Sequence, residues 1–264
     1  MPTLLSVSSI TNTTVTGSGY NNFLINKATV DINNAVNLDT YAGKYYDKVD
    51  FVSSNVGVSS GGSLTGTNSN QIGIAQRSYN GATVGSINLT NSGTISMSGS
   101  DSTGIAGDFA TITNNAAGII TISGNKSTGI FSANGSLTKN SGTINVNTSG
   151  AGNSSVGIYG SNNFGGSAAT YGDQKINITN DGTIRYGGSL TSDGIGIYVK
   201  GAGYTAENRG IINGFGDNAK GIFAAENAVV NNYGTINMTG EGVIGIAGQS
   251  GAQIYNDSSG VINV

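Results

Sequence analysis

The sequence predicts an all-β fold, a right-handed parallel β-helix with three faces, and three observations predict it. A short unit recurs along the chain at a basal spacing near 24 residues. Within the unit, apolar and polar residues alternate with a period of two, the pattern of a strand with one buried face. Glycine is too frequent for helices (44 of 264 residues) and no apolar spacing of three or four recurs.

The unit begins with Asn, a one-residue gap, Gly and a β-branched pair. It reads "NSGTISM" at Asn91, "NSGTINV" at Asn140, "NDGTIRY" at Asn180, "NRGIING" at Asn208 and "NYGTINM" at Asn232. Looser copies are "NAAGIITI" at Asn115, with one extra residue before Gly118, and "NDSSGVINV" at Asn256, with two before Gly260. "NVGVS" at Asn55 and "NKATVDI" at Asn26 extend the series upstream. Residues 1–264 thus read as a single β-helix segment of about nine to ten coils.

Three strands per coil follow. In the first, Ile95, Ile120, Ile144, Ile184, Ile212, Ile236 and Ile262 form an inward column, and the next residues (Ser96, Thr121, Asn145, Arg185, Asn213, Asn237, Asn263) are polar. The second carries Gly-Ile pairs at Gly104, Gly129, Gly157, Gly196, Gly221 and Gly245. The third has an apolar position just before the next Asn: Leu89, Ile112, Leu137, Ile178, Val230 and Ile254. A strand of about five residues cannot bury one face alone, so equivalent strands must stack parallel, coil on coil, into a rod on the order of 45 Å long. The repeated asparagines (Asn91, Asn115, Asn140, Asn180, Asn208, Asn232) read as a stacked amide ladder at a corner where a left-handed backbone suits Asn and Gly.

Composition removes whole classes of function. Eleven Lys plus Arg stand against 14 Asp plus Glu, with 9% charged residues, so no basic surface exists for nucleic acid. The absence of Cys and His removes thiolate metal sites, disulfides and the commonest general base. No apolar run reaches membrane-spanning length and the N-terminus lacks a signal-peptide pattern, so direct membrane insertion by this segment is not expected.

Function is then sought where the repeat is broken. The period after Asn140 is the longest, around "SNNFGGSAATYGDQ" (161–174), whose Asn162, Asn163, Phe164, Tyr171 and Asp173 could stack on and hydrogen-bond a sugar. The same loop could instead fold back on the wall. "LDTYAGKYYDKVD" (38–50) gathers Tyr41, Tyr45 and Tyr46, either as a recognition patch or as a brace on the solenoid. After the Gly-Ile pair, Phe131, Tyr159, Tyr198 and Phe223 form an aromatic column on four successive coils. It lies outside if the isoleucines point inward. Asp108 and Lys200, two residues beyond that column and so on its face, favour that, whereas Lys220, two residues before Ile222, favours the reverse. The acidic residues fall in differing slots of the period; only Asp217 and Glu241 share one on adjacent coils, without a His or nearby Arg. An ice-binding face would need two threonine columns, and the one present (Thr94, Thr143, Thr183, Thr235) is interrupted by Ile119 and Ile211.

With its "NSGTINV" and "GIY" repeats, the chain resembles a passenger-domain segment of a type V (classical, type Va) autotransporter, most closely the large fusobacterial outer-membrane adhesins of the RadD type, over about residues 26–264. The resemblance implies a cell-surface adhesin or stalk, anchored through a C-terminal membrane barrel outside this segment. Its implied partners are glycans or proteins of host-cell or bacterial surfaces. No family motif carries a binding residue onto this chain. The expectations are therefore a monomeric, cofactor-free, metal-free, non-enzymatic adhesive segment of a longer passenger; the alternative is a carbohydrate-active β-helix enzyme, a polysaccharide lyase or hydrolase, which needs two carboxylates within about 10 Å.

Overall fold

A computed structural model of the chain describes residues 9–11, 23–26, 29–40, 49–52, 55–77, 87–146, 154–162, 175–187 and 193–264. These form 28 strands and one 3-10 turn at Leu38–Thr40. The strands lie in three sheets of ten, nine and nine, and successive members of each sheet come from successive coils. Every pairing runs parallel, as from Thr94–Met97 to Ile119–Ile122 and on to Thr143–Val146. The fold is a parallel β-solenoid of right-handed type with about seven turns. Seven full three-strand turns run from Asn55–Val58 to Ile244–Gly248, and the remaining strands extend the sheets at either end. The nine to ten coils read from the sequence counted those end strands as coils.

The sheet built from the Thr-Ile strands follows the sequence column residue for residue. Leu64, Ile95, Ile120, Ile144, Ile184, Ile212, Ile236 and Ile262 are successive partners. From Ile95 to Ile236 each of these isoleucines is fully buried, a contribution of roughly 1.5–3 kcal/mol apiece. Upstream, the sequence alignment is shifted by one strand. Thr29–Ile32 and Asn55–Val58 belong to the ten-stranded sheet, and the true Thr-Ile equivalents are Ala35–Asn37 and Ser63–Gly66.

The asparagine ladder is a single chain of side-chain amides, with one member different from the sequence reading. Asn91 donates from Nδ2 to Oδ1 of Asn114 (2.8 Å), Asn114 to Asn140 (2.8 Å), Asn140 to Asn180 (2.7 Å), Asn180 to Asn208 (2.8 Å), Asn208 to Asn232 (2.8 Å) and Asn232 to Asn256 (2.7 Å). Asn115 is not a rung; its side chain is half-buried and donates to Ser92 Oγ. Strand register decides this, because Asn114 pairs with both Asn91 and Asn140. The extra residues of "NNAAGII" therefore follow the rung, as they do between Asn256 and Gly260. Both insertions close in the same way, with Gly118 N donating to Asn115 O and Gly260 N to Asp257 O.

The glycine two residues after most rungs is required for space, not for a left-handed backbone. A Cβ on Gly142, Gly182, Gly210 or Gly234 would collide with the main-chain oxygen of Gly118, Gly142, Gly182 or Gly210 in the coil before. None of the ladder asparagines has positive φ. Among the described residues, left-handed positions stand instead at the next corner, as at Asn70, Asp101, Lys126, Asp193, Asn218 and Gly242.

Inside the rod, the third apolar column is Leu89, Ile112, Thr138, Ile178, Ala206, Val230 and Ile254. Leu137, expected there, points outward and is 39% exposed. A one-residue offset in a strand exchanges faces, and here the Asn140 rung sets the register. The column facing it is Gly107, Ser132, Gly160, Val199, Ala224 and Gly248. A Cβ on Gly107, Gly160 or Gly248 would sit 2.6, 2.8 or 2.8 Å from Cδ1 of Ile112, Ile178 or Ile254. The two columns therefore share one slot per coil. Gly-Ile, Gly-Ile, Val-Ala, Ala-Val and Gly-Ile each bring four side-chain heavy atoms to it; Ser132 with Thr138 brings five, and neither of those hydroxyls has a hydrogen-bond partner. Interior packing is thus conserved as a volume shared across the slot rather than residue by residue.

Tyr186 shows the same compensation between coils. It occupies the inward position filled by Val146 before it and Gly214 after it. A Cβ on Gly214 would overlap the Tyr186 ring end, whose hydroxyl donates to Lys220 O at 2.5 Å. Burial pushes the phenol pKa of Tyr186 far up, so the group stays neutral in the core.

Candidate functional site

The Gly-Ile strands do not follow simple alternation. In Thr128–Ala133 and Lys220–Ala225 the Gly and the Ile occupy two consecutive buried positions. A Cβ on Gly129 would approach Gly157 O at 2.5 Å, so the strand kinks there without a side chain. This reconciles Lys200 with Lys220. Both share the outer side with the aromatic column, while Ile130, Ile158, Ile197 and Ile222 are fully buried.

Phe131, Tyr159, Tyr198 and Phe223 accordingly stand outward, half-buried and in register. Ring centroids are 5.2 Å apart for Phe131 and Tyr159 (58° between planes), 4.9 Å for Tyr159 and Tyr198 (16°), and 5.1 Å for Tyr198 and Phe223 (63°). The two tyrosines thus spend their ring faces on each other and turn their edges to solvent. Burial, then the neighbouring Tyr159, raises the Tyr198 phenol pKa. Beside them, Lys200 Nζ lies 3.0 Å from Glu226, and that hydrogen bond raises the lysine pKa.

Two long connections adjoin one strand of this sheet along the chain. The strand Val156–Ser161, which carries Tyr159, is entered through residues 147–155 and left through 162–176. The strand two coils earlier, Thr103–Asp108, is entered through 98–102 and left through 109 alone. Of the sugar-binding candidates, Asn162 is described, half-buried just after Ser161. Asn163, Phe164, Tyr171 and Asp173 lie outside the described residues, as do Tyr41, Tyr45 and Tyr46 of the other segment.

The described start of that other segment braces the next coil. Leu38 enters the core. The Asp39 carboxylate accepts from Thr67 N (2.9 Å), Thr67 Oγ1 (2.6 Å), Asn68 N (3.2 Å), Asn68 Nδ2 (3.0 Å) and Gln71 Nε2 (2.9 Å). Desolvation acts to raise its pKa, but the bonds from Thr67, Gln71 and Asn68 outweigh it and hold the carboxyl at about 2.

Two structural columns escaped the sequence reading. Ser102, Ser127 and Ser155 form a buried ladder in which Gln71 N, Ser102 N and Ser127 N each donate to the serine Oγ of the next coil, at 3.2, 3.1 and 3.1 Å. Its signal was visible as a Ser two residues before the Gly of three successive Gly-Ile pairs, at Gly104, Gly129 and Gly157. Outside, Asn237 donates to Asn213 (2.9 Å) and Asn263 to Asn237 (2.7 Å), a second, solvent-facing amide ladder.

Among the described acidic residues, Asp217 and Asp257 are engaged in turns, and Asp181, Glu207 and Glu226 in ion pairs. Asp217 Oδ1 accepts from Glu241 N at 2.9 Å, and Asp181 pairs with Lys139 at 3.0 Å. Among the described residues, no three His, Cys, Asp or Glu side chains gather as a metal site, and no helix is long and apolar enough to cross a membrane.

Residues 4–227 match the family model described as the BigA third pectate lyase-like domain. No curated protein and no solved structure matches the chain. The match is consistent with a passenger domain, and it spans 224 of the 264 residues, on the same three-sided stack that the strand pairings define. The chain belongs to the family of BigA third pectate lyase-like domains.

Proposed function

We propose that this segment is a surface-exposed rod of a bacterial type Va autotransporter adhesin of the fusobacterial RadD-like kind, held at the outer membrane by a barrel elsewhere in the protein. It contacts surface glycans or proteins of other bacteria or host cells without catalysis. BigA is an autotransporter-like adhesin, which supports the adhesive half of this reading. The observation that carries it is the position of connection 162–176, the longest between strands, directly after Val156–Ser161, the strand that carries Tyr159. Repeats supply the rod, and departures from the repeat supply recognition. A non-catalytic role is supported by Asp217, whose carboxylate already accepts a backbone N–H of the next coil.

The test is a glycan-array and whole-cell binding assay of the chain beside a variant with residues 161–174 replaced by a short Gly-Ser turn. Binding lost in the variant, with β-rich circular dichroism retained, is the expected result. Equal binding by both proteins would remove the loop from the adhesive site, and turnover of an acidic polysaccharide by the intact chain would refute the non-catalytic assignment.

A further inference from the structure

The outward column of the Gly-Ile sheet reads the same in both directions along the rod. Its successive partners are Ala106, Phe131, Tyr159, Tyr198, Phe223 and Ala247. The ring geometry has the same symmetry: a nearly parallel tyrosine pair at the centre (16°), and a phenylalanine tilted by 58° at one end and by 63° at the other. A patch with this order is self-complementary under a two-fold axis that crosses the rod between Tyr159 and Tyr198. Self-complementarity of one patch is what an isologous interface requires.

From this we propose that the aromatic column is a docking surface for a second copy of this chain, with the two rods antiparallel and face to face. Tyr159 of one copy then meets Tyr198 of the other, and Phe131 meets Phe223. The flanking columns fit the same axis. On one side, Val156 and Ile195 are partners at the centre of the patch, followed by Thr128 and Lys220 and then Thr103 and Ile244. The two-fold puts Thr128 against Lys220 and Thr103 against Ile244, while Val156, beside Ile195, is buried within its own copy. On the other side, the strand partner of Lys200 is the buried Ser161, so each Lys200 meets no charge of the second copy there and keeps its own Glu226. No like charges are brought together. A parallel arrangement would need a two-fold along the rod, which exchanges the flanking columns, sets Lys200 opposite Ile195 and Lys220 opposite Ala225, and leaves each ring opposite its own equivalent.

The patch is modest. Five coil steps of about 4.8 Å by five residues of about 3.3 Å give on the order of 400 Å² per copy. That is about half the roughly 800 Å² per partner of a standard stable interface, so the association is of the weak, transient class. The monomer expected from the sequence is therefore the low-concentration form. This inference stands apart from the adhesive role of residues 161–174, since it concerns the sheet face and a homotypic partner.

Sedimentation velocity of the intact chain from about 1 to about 200 µM is expected to show a reversible monomer–dimer equilibrium. Tyr198→Asp, which places a charge against Tyr159 of the second copy, should weaken it at least tenfold. Because the chain has no Cys, orientation can be read by cross-linking. A Phe131→Cys chain mixed with a Phe223→Cys chain should be joined by a bis-maleimide of about 10 Å reach, the distance between facing sheets. Either variant alone should not, because like positions lie three coil steps, about 14 Å, apart along the rods. A monomer throughout the concentration range would overturn the proposal, and so would cross-linking of Phe131→Cys to itself as fast as in the mixture. If Tyr198→Asp fails to fold, the cysteine mapping decides alone.

Discussion

The shared interior slot makes a quantitative prediction at Val199 and Ala206. In that coil, Val199 supplies three side-chain heavy atoms and Ala206 one; three coils earlier and two coils later, Gly107 and Gly248 supply none while Ile112 and Ile254 supply four. Ala206→Ile alone forces three extra atoms into a fully buried position and should cost about 2 kcal/mol by overpacking. Val199→Gly alone empties the slot and loosens the strand, at about 3 kcal/mol. Independent effects would add to about 5 kcal/mol. The double variant instead recreates the Gly-Ile arrangement and should lie within about 1–2 kcal/mol of the parent, the residue being the backbone entropy of the new glycine. A coupling of about 3 kcal/mol is at the upper end of that seen for residues in direct contact. Urea denaturation of the four proteins, followed by far-UV circular dichroism, measures it. A double variant as unstable as the two losses added together would refute the shared slot and leave each column to be packed on its own.

Two further outcomes test the polar framework. Asn140→Ala removes two buried amide bonds, leaving Asn114 Nδ2 and Asn180 Oδ1 without their best partners; it should cost about 2 kcal/mol or more, whereas Asn237→Ala on the outer ladder should cost less than about 1 kcal/mol because water replaces its partners, and the difference can be read from urea midpoints. For Asp39, the carboxyl is held at about 2 against an ordinary value of 3.8. A depressed folded-state pKa gives stability that is present above the ordinary value and lost as pH falls through the folded one. Thermal melts of the parent and Asp39→Asn should therefore differ at about pH 5 and converge between about pH 4 and 2; a gap that stays constant over that window would show the carboxylate charge to be irrelevant.

Where the sequence was legible, one constraint recurred in every coil. The isoleucine column of the Thr-Ile sheet needs the same residue at the same offset, so periodicity alone located it from Ile95 to Ile262. Register errors arose where adjacent residues could fill the same role. Asn114 and Asn115 are both asparagine, and only pairing with Asn91 and Asn140 selects the first. Leu137 is more apolar than Thr138, yet Thr138 faces the core, because the Asn140 rung fixes the strand and Ser132 fills the space opposite. These choices depend on neighbouring coils, which no single repeat records. The function of the glycines was also misassigned: close approach of successive backbones looks the same in sequence as a left-handed turn.

The candidate site was legible for the opposite reason. Outward positions of the Gly-Ile sheet are free of the packing rule, and Ala75, Ala106 and Ala247 show that a methyl group suffices for their coils to pair in the same register. Four consecutive rings are thus more than the scaffold asks for at that column. Mutual stacking contributes about 0.5–1.5 kcal/mol per pair, which is small beside the interior columns of the stack, one of which alone holds six fully buried isoleucines, one per coil from Ile95 to Ile236. The rings also stop abruptly at both ends, with alanine on either side, although the isoleucine and asparagine columns run on beyond them. A feature that served stability would be expected to continue with the stack that it stabilises. One that is confined to four coils, symmetric about its centre and adjacent to the longest connections has the form of a surface made to meet something else.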